Sequence, residues 1–171
     1  MRPVILLFMG LAWLSLFSCQ EKEKLVGMEI LGEWKIDGRS TEVLLNGEIK
    51  TLAELGIEVF GLEEESAKTY VEEYLQNQIL GPLSLTDAEV SFTQTLMTVK
   101  QGGDQKQSDW QLLNDKTLLK LNSLEENQVA YLFNFRINAS QQINLSWDWQ
   151  VQHLNDPTKV HDLELKLRLI K

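Results

Sequence analysis

The chain has 171 residues, with 16 Lys and Arg against 25 Asp and Glu, 43% apolar residues and a single Cys. That length suits one domain with a full hydrophobic core, and a net charge of -9 repels polyanions, which argues against nucleic acid as a partner. One Cys provides neither an intramolecular disulfide, nor a CxxC pair, nor a thiolate metal cage.

Arg2 precedes an uncharged run over residues 4–17 that contains Ile5, Leu6, Leu7, Phe8, Met9, Leu11, Trp13, Leu14 and Leu16. A helix crossing a bilayer needs about 20 apolar residues, so this shorter run reads as the apolar region of a signal peptide over residues 1–18. The Cys follows at once. Leu16, Phe17, Ser18 and Cys19 resemble the lipobox of bacterial lipoproteins. That resemblance implies cleavage before Cys19, lipidation of its thiol and acylation of the new amino group by a fatty acid such as palmitate. The membrane then becomes a partner through an N-terminal lipid anchor, because several acyl chains hold far more firmly than one. Gln20, Glu21, Lys22, Glu23 and Lys24 carry no apolar side chain and are expected to form a solvated tether within residues 19–26. They are also similar to the signal that sends some Gram-negative lipoproteins to the outer face of the outer membrane. The location implied is the cell envelope, as an outer-membrane lipoprotein exposed at the surface.

Residues 27–171 are expected to form one domain. The spacing predicts a first strand over 30–37, with Ile30, Trp34 and Ile36 on one side and Glu33 and Lys35 on the other. Thr51 and Glu54 match a helix capping box ahead of an apolar cluster of Leu52, Leu55, Ile57, Val59 and Phe60. A stronger helix is predicted over 63–80, where Ala67, Tyr70, Val71, Tyr74, Leu75 and Ile79 recur every three or four residues and Gly81-Pro82 ends the run. This places a helical insertion at about 50–80.

Beyond Pro82 the pattern is alternation. Strands are predicted over 88–93, 96–101, 107–113 and 117–122, separated by Gly102-Gly103-Asp104 and Asn114-Asp115 turn chemistry. The clearest three follow. Val129, Tyr131, Phe133, Phe135 and Ile137 alternate with Ala130, Leu132, Asn134 and Arg136; Ile143, Leu145, Trp147, Trp149 and Val151 alternate with polar residues, as do Leu163, Leu165, Leu167 and Leu169. Eight strands, each with one apolar face, are best accommodated by closure on themselves, which removes both edges. The fold class expected is mainly β with one helical insertion, as an eight-stranded antiparallel up-and-down barrel.

Gly32, Glu33 and Trp34 in a short first strand, followed by a helical insertion and an antiparallel meander, resemble the lipocalin-like domains of bacterial envelope lipoproteins. The resemblance implies a calycin-type barrel over about residues 31–171 and a late arginine, Arg168, covering the Trp34 ring.

Catalytic signatures are sparse. Ser140 and Ser146 lack a neighbouring His–acid pattern, Gly102-Gly103 does not precede a helix, and Glu63, Glu64, Glu65, Glu72 and Glu73 read as a solvated helix face. His153 and His161 flank a turn and, with Asp156 or Asp162, match a two-His, one-carboxylate metal site, but the simpler reading is two surface residues at a loop. No enzyme activity, metal or cofactor is expected. The positive feature is aromatic: Trp34, Trp110, Tyr131, Phe133, Phe135, Trp147 and Trp149 all fall on apolar strand faces. They either fill the barrel or line a pocket for a small apolar ligand. Two functions remain open: ligand binding by a lipid-anchored barrel, or a filled barrel serving as a non-catalytic accessory subunit to an envelope protein partner.

Overall fold

The computed structural model describes residues 29–123, 130–138 and 141–171. The expected signal peptide, Cys19 and the expected tether, with Val129 and Ser140, lie outside them. The chain divides into two units, Met1–Leu31 and Gly32–Lys171, and the second holds all the elements that follow.

These are strand β1 (Gly32–Ile36), a 3-10 turn at Gly38–Ser40, β2 (Glu42–Leu45), β3 (Glu48–Lys50), helix α1 (Leu52–Glu58), helix α2 (Glu64–Tyr74) and a π-helical turn at Leu75–Leu80. Then come β4 (Ala88–Phe92), β5 (Leu96–Gln101), β6 (Asp104–Leu113), β7 (Leu118–Ser123), β8 (Ala130–Ile137), β9 (Ile143–His153) and β10 (Asp156–Ile170). Strands β4 to β10 pair in sequence, every pairing is antiparallel, and β1 pairs with both β4 and β10. The expected eight-stranded up-and-down barrel is the fold, closed by β1.

Two strands were not expected. Glu42–Leu45 and Glu48–Lys50 form a hairpin whose two-residue turn, Asn46-Gly47, has φ of 50° and 87°, the left-handed pair that a tight hairpin requires. Alternation fails to mark β2 because Val43, Leu44 and Leu45 are consecutive and all buried. This hairpin continues the barrel wall. Ile36 pairs with Leu169 and Glu42 with Lys166, so β1 and β2 lie along the same edge of β10. The chain spends six residues there while β10 spends three, and the 3-10 turn absorbs the excess.

Followed once around the eight strands, the pairing returns to β1 displaced by about twelve residues. A stagger larger than the strand number tilts the strands steeply and widens the barrel. Alternate residues fill the interior. Leu163, Leu165, Leu167 and Leu169 of β10 are all buried, as are Ile143, Leu145, Phe133, Phe135, Leu119, Leu121, Met97, Val99 and Val90. β10 starts seven residues before the predicted strand and is irregular between Asp156 and Val160.

The insertion holds two helices, a short one at the predicted capping box and the first part of the stronger one predicted over 63–80. α1 is capped as the sequence implies: the Thr51 hydroxyl accepts the Glu54 N–H at 3.2 Å, and the Glu54 carboxylate accepts the Thr51 N–H at 2.7 Å. It packs on α2 through Gly56, where an added Cβ would meet the Ala67 Cβ at 2.5 Å. The predicted helix over 63–80 stays α-helical only to Tyr74 and then widens into the π turn. Gln76 bridges that turn's exit, donating to the Gly81 carbonyl at 3.1 Å and the Leu83 carbonyl at 2.9 Å.

Candidate functional site

The helical insertion joins β3 to β4 and lies at the barrel end that carries the β9–β10 turn. Three contacts place it there. The Leu154 N–H donates to the Val59 carbonyl at 3.4 Å, Gly61 closely approaches the Asn155 amide, and Gly81 lies against the Tyr131 ring. At Gly81, a Cβ would come within 2.4 Å of that ring, and φ is 57°, so glycine is required twice over. The Phe60 ring stands 5.1 Å from those of both Tyr70 and Tyr74, forming an aromatic cluster over this end. Tyr74 in turn lies beside the Trp149 indole, and burial pushes its phenol above the ordinary tyrosine range.

The seven aromatic residues singled out from the sequence separate into two groups. Tyr131 and Trp149 lie toward the helix-covered end, with Trp147 packed edge-on against Phe133 at 5.4 Å. At the opposite end Trp110 packs edge-on against Phe92 at 5.6 Å, and its indole N–H donates to the Thr93 carbonyl at 2.9 Å. Trp34 is buried there beneath Lys171, whose ammonium sits 5.0 Å above the ring. The expected partner, Arg168, does not cover Trp34; it donates to the Ser40 hydroxyl at 3.4 Å instead. A strand's side chains alternate, and Arg168 lies on the outer face. Phe135 is buried near the same far end, beside Leu145. Trp34, Trp110 and Phe135 thus lie at the far end, and Tyr131 and Trp149 are the two of the seven seen against the helical insertion.

The structure adds polar groups near those two. His161 is 4% exposed, so it is not the surface loop residue expected; it faces inward beside Val151, and its ring lies 6.0 Å from that of His153. Neither His161 nitrogen has a hydrogen-bond partner among the described residues, nor do Trp149 Nε1 and, in the wall of β6, the fully buried Ser108 Oγ. The Trp149 N–H faces Tyr74 without forming a well-shaped bond to its hydroxyl. Buried polar groups are almost always paired, and each unpaired one costs about 1–3 kcal/mol. Burial holds the His161 imidazole below the usual histidine range, reinforced by Lys159 and His153, with Glu58 opposing. His161 was legible in the sequence: it shares the phase of Leu163 to Leu169, two residues earlier. Tyr74 and Phe60 were not, since only tertiary packing brings the insertion onto this end.

Among the described residues no cluster of His, Cys, Asp or Glu is arranged to hold a metal ion, and no helix is long and apolar enough to cross a membrane. No protein-family model, curated protein or solved structure matches this chain.

Proposed function

We propose that the chain is a lipid-anchored envelope lipoprotein whose barrel binds a small, mainly apolar molecule carrying one hydrogen-bonding group. The observation that carries this reading is the set of unpaired polar atoms among aromatic rings at the helix-covered end: both nitrogens of His161 and the indole N–H of Trp149. Ligand sites combine apolar walls with a few convergent polar groups, and a ligand that satisfies those atoms offsets their desolvation. The wide stagger of the wall supports the same reading, since it gives the interior breadth. For the anchor, the support is the apolar run over residues 4–17 ending at Cys19, followed by a charged tether.

Titration of the full chain, held in a neutral detergent, with a fluorescent fatty-acid analogue tests the binding. Saturable enhancement is expected, and Trp149→Phe, which keeps a ring but removes the donor, should weaken it about tenfold. Absence of saturable binding by any apolar probe, or unchanged affinity in Trp149→Phe, overturns this site. The anchor has its own test: Cys19→Ala should move the protein out of the membrane fraction and remove the acyl mass. The accessory-subunit reading draws on a different observation. Ile49, Leu154 and Val160 are 64%, 62% and 50% exposed, apolar side chains available for a partner to cover.

A further inference from the structure

On the outside of the barrel, away from the interior site and independent of it, β8, β9, β10 and β2 form a groove of about 430 Å³. Its charge runs against the molecule's. The chain carries nine more acids than bases, yet the groove is lined by Arg136, Lys166 and Arg168 against one carboxylate, Glu42. The same strands place Asp148, Asp162 and Glu164 around a second groove nearer the helices, so acids and bases are segregated along this face.

The pairing register explains the arrangement. Arg136 pairs with Asn144, and Asn144 with Arg168, which puts two arginines on either side of an amide in a single row. Neighbouring strands are about 4.8 Å apart, so the two arginine backbones are separated by about 10 Å, a span that both guanidinium groups can bridge over Asn144 once Arg168 exchanges its bond to the Ser40 hydroxyl for a ligand. The next row is Asn134, Ser146, Lys166 and Glu42. Nearby acids are already engaged there: Glu164 pairs with Lys166 at 3.1 Å, and Asp148 accepts from the Asn134 amide at 3.1 Å. Among the described residues, by contrast, neither Arg136 nor Arg168 makes an ion pair.

We propose that this groove binds an oxyanion, a phosphate or carboxylate group on a small hydroxylated molecule, held between Arg136 and Arg168 over the Asn144 amide. Guanidinium groups bind such oxygens through paired N–H bonds, and two of them facing one amide offer more donors than a single solvated anion needs. Ser146 and Asn134 in the adjoining row provide partners for hydroxyl groups.

Nuclear magnetic resonance titration of the full chain in neutral detergent tests the assignment, following the Asn144 side-chain amide. The probes are inorganic phosphate, glucose 6-phosphate and short-chain phosphatidylglycerol. Saturable shifts are expected at Asn144. Saturation by the soluble phosphates alone identifies a free anion as the ligand, and saturation by phosphatidylglycerol alone identifies a lipid headgroup. The pair Arg136→Ala with Arg168→Ala should weaken binding more than about tenfold. Arg136→Lys with Arg168→Lys, which keeps the charge and loses the fork, should fall between that and the parent. Lys68→Ala, which removes an exposed cation from α2, should leave affinity unchanged. No saturable shift with any probe overturns the proposal, as does equal loss in Lys68→Ala or undiminished binding in the double alanine variant.

Discussion

His161 shows how one residue can couple stability to acidity. Its imidazole is desolvated and unpartnered, so the folded protein holds it neutral while the unfolded chain protonates it near the ordinary value of 6.5. The depressed folded value means its contribution is intact above pH 6.5 and is lost as pH falls from there toward the folded value, where the unfolded chain binds the extra proton. Asp87 and Asp156 are also held below their usual value of 3.8, by hydrogen bonds from the Gly38 N–H and from Thr158, so their stabilisation is lost only at lower pH. Melting temperatures measured from pH 7 to pH 3 should therefore fall in two steps. His161→Leu should remove the upper step, leave the lower one, and raise stability at pH 7 by about 1 kcal/mol by eliminating unpaired buried nitrogens. A single unchanged curve in that variant would contradict the assignment. Gly56 is a second such position, because α1 and α2 touch where its side chain would stand. Gly56→Ala should lower stability despite alanine's better helix propensity, by about 1–3 kcal/mol in a denaturant titration.

At the scale of elements, the hairpin β2–β3 depends on its turn and α1 on its cap. Gly47 has a φ of 87° with open space around it, so Gly47→Ala meets no clash and is penalised only by backbone strain. A loss of about 1 kcal/mol is expected from thermal unfolding. Thr51→Ala removes the acceptor of the capping box and should cost about 0.5–2 kcal/mol, whereas Thr51→Ser should cost little. Which elements the sequence reveals follows from how they are buried. Strands with one wet and one dry face alternate visibly, and β4 to β9 emerged close to their final bounds. β2 is buried on both faces and loses the alternation, although its Asn46-Gly47 turn is the strongest short hairpin signal in the chain. The 63–80 helix kept its period of three to four throughout; the π turn past Tyr74 reflects packing against Tyr131 and Gln76's bonds, which no periodicity records.

For the whole molecule, β10 is the common support, pairing with β9 along most of its length, with β2 midway and with β1 at its end. Leu169 is fully buried next to the β1 junction that closes the barrel. Leu169→Ala should cost about 2–5 kcal/mol, at the upper part of that range if the wall cannot relax into the cavity. Backbone amides of β10 should also exchange with solvent more slowly than those of α1 and α2, since opening β10 breaks three pairings at once while the helices open locally. Equal exchange across these elements would show that the helices do not open independently of the barrel.

Alternating side chains in the first strand and from residue 88 onward were enough by themselves to specify a closed antiparallel barrel, because eight half-apolar strands without edges have few other ways to bury those faces. The apolar run over residues 4–17 and the Cys19 that follows it are strings of local character, on which the proposed anchor rests. What tertiary structure alone decided is which aromatic rings meet. Rings on one apolar face look equivalent in sequence, but the stagger of the strands sends Trp34 and Trp110 to one end and Trp149 and Tyr131 to the other. The insertion then covers only the second end, leaving His161 and the Trp149 N–H without partners. Similarly, Arg136 and Arg168 lie 32 positions apart in the chain, and only the register across β9 sets them side by side.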